Sequence, residues 1–249
     1  MKGIILAGGT GSRLYPLTKV TNKHMLPVGR YPMIYWPLNN LLQCGIRDIM
    51  IVSGTEHLGS IVQTLGSGRD FGAEFTYRVQ DEAGGIAQAL GLCRHFAHGE
   101  TMMVMLGDNV FFGDLSDYIK DFKSGGRVLL SESRHPEGYG VAQLDEKGQV
   151  ERIVESPVDP PSNLVVTGCY LYDSRVFEII EGLTPSERDE LEITDVNNTY
   201  IGRGEMDFRR IPFEWTDAGT FATLREANRL AEGRELSVYQ ISNQRGKNP

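Results

Sequence analysis

The hexapeptide Gly8-Gly9-Thr10-Gly11-Ser12-Arg13 follows directly on a short apolar run at residues 3–7. Glycines at the end of a strand let backbone N–H groups close around phosphate oxygens with no Cβ in the way. The loop is not a Walker A sequence, and Leu14 stands where a dinucleotide fingerprint needs its third glycine. Its surroundings carry charge of one sign. Residues 1–47 hold six basic residues (Lys2, Arg13, Lys19, Lys23, Arg30, Arg47) and no Asp or Glu, in a chain of net charge −8. An acidic protein with one acid-free, Gly-rich, basic segment is arranged to hold a small polyanion there. Asp108 follows the apolar run at 102–106. A carboxylate at the carboxyl end of a central strand points into the crevice where α/β sheets bind ligands, although a lone Asp is as readily a turn former.

The elements that must position these groups are legible as alternating runs. Strand-length apolar stretches recur at residues 3–7, 49–52, 75–79, 102–106 and 128–131, with helix-like stretches at 33–43, 57–65, 86–96 and 115–122 between them. Strands alternating with helices predict βαβ units and a mostly parallel, doubly wound, Rossmann-like sheet buried on both faces. From about Tyr139 the pattern changes. Residues 141–144 and 150–154 alternate as a hairpin around Lys147-Gly148, and 165–172 reads as a further strand. Helices are predicted at 174–181 (capped by Ser174, closed by Gly182), 191–201 and 220–232, with a strand near 208–213. The expectation is one domain over 1–249: a core at 1–138, a smaller β-containing part at 139–233, and a polar, loosely held tail from Arg234.

Several classes are set aside. No apolar run approaches the ~20 residues of a membrane span, and the N-terminal apolar stretch is broken by Gly8-Gly9 too early for a secretory leader. The expected compartment is the cytoplasm. Cys44, Cys93 and Cys169 form no CxxC pair, which speaks against a zinc site or a disulfide framework. His95 and His98 near Cys93 read as helix-end surface residues, since no further ligand converges on them in sequence. Asn197-Asn198-Thr199 fits a glycosylation pattern but lacks a secretory context. The negative charge argues against a nucleic-acid partner.

Beyond the glycine loop, Arg13, Pro16, Lys23 and Pro27 extend the pattern to L-A-G-G-x-G-x-R-L-x-P-L-T-x-x-x-x-K-x-x-x-P. The segments GRYPMIYWPL, GGIAQAL, LGDN, YGVA, VTGCYLYD, ELEITDVNN and WTDAGT then follow in order. Together they cover the chain to about residue 230. The sequence resembles the sugar-phosphate nucleotidyltransferases, most closely the glucose-1-phosphate thymidylyltransferases.

That resemblance implies nucleotidyl transfer, in which a sugar-1-phosphate oxygen attacks the α-phosphorus of a nucleoside triphosphate and pyrophosphate leaves. Such chemistry needs a backbone cradle, cations over the phosphates and a metal held by carboxylates. The resemblance implies a phosphate cradle at Gly8, Gly9, Thr10 and Gly11, and a triphosphate grip from Arg13 and Lys23. It implies Mg²⁺ held by Asp108 and Asp217, an arrangement that suits a cation taking few protein ligands. Gln80 and Gly85 match base-reading positions. Asn109, Tyr139, Gly140, Glu155 and Val166 match the sugar pocket, and Arg188 matches an arginine that reaches the sugar phosphate. His24 is either a phosphate contact or an ordinary surface histidine. The implied substrates are dTTP and a sugar 1-phosphate, and a homo-oligomer is expected by analogy.

One position departs from the family. Relatives carry Glu-Lys-Pro where this chain has Glu155-Ser156-Pro157, so a charged contact to the sugar phosphate is replaced by a hydroxyl, roughly half as strong. Three readings stay open at this stage. They are dTTP with glucose 1-phosphate, the same chemistry with UTP, CTP or another acceptor, and a sugar-nucleotide-binding regulator without catalysis.

Overall fold

The computed structural model describes residues 1–238. In chain order the elements are β1 (Lys2–Leu6), β2 (Pro27–Val28), β3 (Tyr31–Pro32), α1 (Tyr35–Gln43), β4 (Asp48–Gly54), α2 (Leu58–Leu65), β5 (Glu74–Gln80), α3 (Ile86–Gly91), α4 (Arg94–Ala97), β6 (Met102–Leu106), β7 (Asn109–Phe111), α5 (Ser116–Ile119) and β8 (Gly126–Glu132). The second half adds β9 (Gly140–Leu144), β10 (Val150–Glu155), β11 (Leu164–Tyr172), α6 (Val176–Glu181), α7 (Ile193–Gly202), β12 (Met206–Arg210), β13 (Trp215–Asp217) and α8 (Phe221–Ala231).

The centre is a parallel run in the order β6-β1-β4-β5. Its strands alternate between two cores. Ile5, Ile51, Met103 and Met105 face one side with α1 residues Leu38 and Leu41. Ile4, Leu6, Val52, Met102 and Val104 face the other with Leu90, Val176 and Val196 of α3, α6 and α7. A sheet covered on both faces accounts for the nearly continuous apolar strands in the sequence. The apolar β6 strand Met-Met-Val-Met-Leu is core filling, as its composition suggests.

Beyond β6 the sheet turns antiparallel and forks. β11 pairs with β6 through Cys169–Tyr172 and, nearer its start, with β9 through Val165↔Val141. Its other edge carries β8, and β8 carries β12 in parallel. The β9–β10 hairpin therefore continues the main nine-stranded sheet. The gap between β6 and β9 along β11 is where the site opens.

Five expectations are corrected. The helix predicted over 86–96 is two helices, with tighter bonding at Cys93 N–H to the Leu90 carbonyl. Gly91, a weak helix former, leaves room there for Ile180, which a Cβ would approach to 3.3 Å. Ser174 does not cap α6. Asp173 accepts from the Arg175 N–H at 3.0 Å, and the helix starts at Val176. The strand near 208–213 lies at Met206–Arg210, in register with β8. The tail is not loose where it is described: Leu236 and Val238 are buried, Glu235 accepts from Tyr31, and Ser237 Oγ donates to Asn39. Two buried apolar side chains anchor a segment whose composition is polar. The rest of the expected tail, 239–249, lies outside the described residues. Elsewhere Thr220, expected as the first residue of the last helix, is instead the N-cap of α8, with a reciprocal box to Thr223.

Candidate active site

One cavity of about 670 Å³ runs from the glycine loop to the β9–β10 hairpin. Its first wall is the loop after β1. Gly9 (φ +88°) and Gly11 (φ +64°) take left-handed conformations that favour glycine. Gly8 and Gly9 line the cavity, whereas Thr10 and Gly11 do not. Gly11 instead turns the chain inward, where its carbonyl accepts from Thr18 Oγ1 at 2.9 Å. Of the four cradle positions, two face the space. Arg13 lines the cavity and makes no hydrogen bond among the described residues.

Two distant segments bring the carboxylates together. Asp108 follows β6 directly. The short β13–β7 ladder places Asp217 opposite Asn109, and the Ala218 N–H donates to the Asp108 carbonyl at 2.8 Å. A Cβ built on Gly219 would lie 3.0 Å from Arg13 Nη2, 3.2 Å from Asp217 Oδ2 and 3.5 Å from Asp108 Oδ2. The guanidinium and both carboxylates thus converge on one point, kept open by a glycine.

The electrostatics follow from this crowding. Burial alone would push the Asp108 carboxyl up, but Lys23 Nζ sits 2.6 Å from Oδ2, and with the Asn109 amide at 3.0 Å from Oδ1 it holds the group well below the carboxylate range. Asp217 is shifted the other way, raised by burial and by the charge of Asp108. The Tyr139 hydroxyl, donating to Asp217 Oδ1 at 3.2 Å, offsets part of that. Two neighbouring carboxylates, one of them destabilised by the other's charge, fit a small divalent cation that takes few protein ligands. Among the described residues no group of three or more His, Cys, Asp or Glu side chains is placed to hold a metal.

His24 is not a surface residue. It is 1% exposed, and burial and the nearby Lys23 charge hold its pKa at about 3, so the ring is neutral. Its Nδ1 lies 2.6 Å from Asn22 Oδ1, an acceptor, so Nδ1 carries the proton and Nε2 is left as an acceptor. A neutral ring in this tautomer gives a phosphate no donor. Lys23 and Arg13 are the cations of this wall.

Gln80 ends β5, and its Oε1 sits where a Cβ on Gly8 would collide with it. Gln88 of α3 holds its amide at 2.7 Å. Gly85, at φ +95°, opens α3, and a Cβ there would press on the Leu191 backbone. Leu191 in turn bonds Gly84 and Ala87. Gly140, Glu155, Val166 and Arg188 also line the cavity, as does Tyr139, whose hydroxyl reaches Asp217. Glu155 Oε2 accepts from Thr194 Oγ1 at 2.6 Å, and Arg188 Nη2 lies 3.5 Å from Oε1 and 2.9 Å from Glu192. Ser156, at φ +42°, lines the same space and donates to Glu155 Oε1 at 3.2 Å.

The family model for nucleotidyl transferases matches residues 2–233. The chain belongs to the nucleotidyl transferase family. It is 40% identical over 233 residues to a Neisseria meningitidis glucose-1-phosphate thymidylyltransferase, covering 91% of this chain and 81% of that one. It is 38% identical over 241 residues to the protein of that name from Mycolicibacterium smegmatis, covering 95% and 84%. A Bacillus anthracis protein provisionally assigned as a glucose-1-phosphate thymidylyltransferase, solved in complex with a sucrose, superposes with a TM-score of 0.93 at 54% identity over 98% of this chain and 99% of that one. A UDP-glucose pyrophosphorylase complexed with UDP-glucose, 24% identical, shares the fold at a TM-score of 0.81 over 92% of this chain and 97% of its own.

This nucleotidyl transferase site also contains residues that residue-by-residue reading missed. Trp215, Thr194 and Asn197 all line the cavity. Each sits inside a segment that carries the resemblance, WTDAGT or ELEITDVNN, and that was the available signal. Asn197 is fully buried, which removes the glycosylation reading. Its Oδ1 accepts from Tyr172, while its Nδ2 finds no partner among the described residues. Asn109 belongs to the wall, but its polar atoms are already used. Oδ1 accepts from Gly168 N–H at 2.8 Å and from Trp215 Nε1 at 2.7 Å, and Nδ2 donates to Asp108.

Proposed function

We propose that this enzyme transfers a thymidylyl group from dTTP to glucose 1-phosphate, releasing pyrophosphate and dTDP-glucose, with Mg²⁺ as its metal. The observation that carries the reading is the convergence of Arg13, Asp108 and Asp217 on one point, at the end of a cavity whose other wall is the hydroxyl-binding set around Glu155. The names of the relatives supply the substrates.

The nucleophile in this reaction is a phosphate oxygen of the sugar phosphate. A phosphate monoester has its second pKa near ~6 and is ionised at neutral pH, so the protein needs no general base. That agrees with a site whose only buried histidine is neutral and tied to Asn22. The work left to the protein is alignment and charge neutralisation. Gly8 and Gly9 offer backbone to the triphosphate, and Arg13, whose side chain makes no hydrogen bond among the described residues, forks onto the phosphates that depart. Asp108 and Asp217 would hold the metal, which when bound would supply positive charge to neutralise the phosphates. Glu155, oriented by Thr194, accepts from sugar hydroxyls, and Gln80, braced by Gln88, faces the base. On this reading residues 1–138 serve the nucleotide and 139–233 the sugar phosphate.

Ser156 favours one second reading, the same transfer to a different acceptor phosphate. Arg188, 3.5 Å from Glu155, is the cation beside that position. Among the described residues no helix is long and apolar enough to cross a membrane. Both proposed substrates are metabolites of the cytoplasm, which is the compartment we propose.

The test is pyrophosphate release across nucleoside triphosphates crossed with sugar 1-phosphates. Release should be greatest with dTTP and glucose 1-phosphate, and should stop with a chelator and return with Mg²⁺. Release with another sugar phosphate only would favour the second reading, and release with no pair would leave a binding protein.

A further inference from the structure

Asp108 is the better buried of the two proposed metal carboxylates, and both of its oxygens are occupied. Asn109 Nδ2 holds Oδ1 at 3.0 Å, and Lys23 Nζ holds Oδ2 at 2.6 Å, with little solvent at either side chain of the ion pair. Oδ2 is also the oxygen that faces Arg13 and Asp217 around Gly219. The lysine therefore neutralises the oxygen on the side where a divalent ion would be shared.

From this geometry we infer that Lys23 is a place-holding cation: it occupies the metal seat of the ligand-free enzyme and vacates it only when a triphosphate offers it another anion. The inference rests on the proposed roles of Asp108 and Asp217. Three observations decide which partner moves. Asp108 is fixed through its carbonyl, bonded to Ala218, and through Asn109, itself locked by Gly168 and Trp215. Lys23 carries a point charge on a flexible four-carbon stem. That stem passes the glycine loop, its Cβ lying 3.3 Å from where a Cβ of Gly11 would be, and it lines the same cavity as Gly8, Gly9 and Arg13. A short swing carries the ammonium from carboxylate to phosphate.

Removing one partner of a buried ion pair strands the other. Lys23 thus leaves Asp108 when a cation replaces it there and a phosphate receives it. Metal and nucleotide then raise each other's affinity reciprocally, and free metal alone meets a seat that is already neutralised.

The experiment measures Mn²⁺ binding to the full chain without nucleotide, from the electron-spin signal of the free ion. Wild-type protein should bind weakly. Lys23→Gln should bind at least ~10-fold tighter, since an unpaired buried carboxylate gains most from a new cation. Lys23→Arg, which keeps the charge, should bind as weakly as wild type. Adding Asp108→Asn to Lys23→Gln should abolish the gain. The inference is overturned if wild type binds as tightly as Lys23→Gln, if Lys23→Gln gains nothing, or if the double variant keeps the gain. Should Lys23→Gln fail to fold, wild type decides alone: one tightly bound Mn²⁺ per chain without nucleotide overturns the inference, and weak binding supports it. The substrate assignment is judged separately, by pyrophosphate release from wild-type protein.

Discussion

Asn109 and Asp108 are bonded side chain to side chain at 3.0 Å, and the same asparagine lies directly across the β7–β13 ladder from Asp217. A residue matched to the sugar pocket by sequence is thus a spacer between two carboxylates. Asn109→Ala should lower kcat about 10- to 100-fold, the usual cost of losing a partner that orients a ligand side chain, and leave the KM for sugar phosphate nearly unchanged. Gly168→Ala, whose methyl would strike the Asn109 amide, should reproduce the defect. Steady-state kinetics with each substrate varied decides it. A raised sugar-phosphate KM at normal kcat would make Asn109 a sugar contact after all.

The Arg13 side chain makes no hydrogen bond among the described residues, so its removal breaks none and leaves only its charge beside Asp217 to be lost. Arg13→Gln should cost about 10²- to 10³-fold in kcat, the scale of losing one donor at developing charge, with an unchanged melting temperature. A variant that melted early would show a structural role.

On the proposed reading Ser156 stands where a cation would meet the sugar phosphate, and it shares Glu155 Oε1 with Arg188. Ser156→Lys should lower the KM for the sugar phosphate about 3- to 10-fold through a charge-assisted bond, and Arg188→Ala should raise it. The KM for dTTP should move in neither. If Ser156→Lys changes nothing, the phosphate does not pass this residue.

Asp173 is a structural counterpart to the site aspartates. Burial would raise its pKa, but Arg175, the Gly125 N–H at 2.7 Å and the Tyr200 hydroxyl at 2.9 Å together lower it below the ordinary 3.8. The folded state therefore binds its proton less readily than the unfolded chain. The resulting stability is complete above the ordinary carboxylate pKa and is lost as pH falls through the lowered value. Asp173→Asn should cost about 2 kcal/mol at pH 7, allowing for the partly exposed Arg175. Chemical denaturation from pH 7 downward should show the gap to wild type narrowing below about pH 4. A gap independent of pH would mean that packing, not charge, carries it.

The Asp108–Asp217 pair shows where the sequence stops being informative. Each aspartate could be nominated from its own motif, and the apolar run before Asp108 foretold its place at a strand end. That they meet was not readable locally. It depends on a three-residue ladder between β7 and β13, more than a hundred residues apart, and short strands carry little periodicity to betray a partner.

By itself the sequence determined the central parallel strands, because buried β1, β4 and β6 must be apolar on both faces and so stand out from any neighbour. It also determined the glycine loop, the basic N-terminal segment and the family. Tertiary structure alone decided that β9 and β10 extend the main sheet, that residues 234–238 are anchored, and that His24 is buried and neutral. It alone showed Asn109 spent on Asp108, and Lys23, expected over the phosphates, paired with Asp108. The division has one physical cause. Apolar burial leaves a periodic trace along the chain, whereas a polar atom's partner is chosen in space, by donors and acceptors that any distance of sequence can separate.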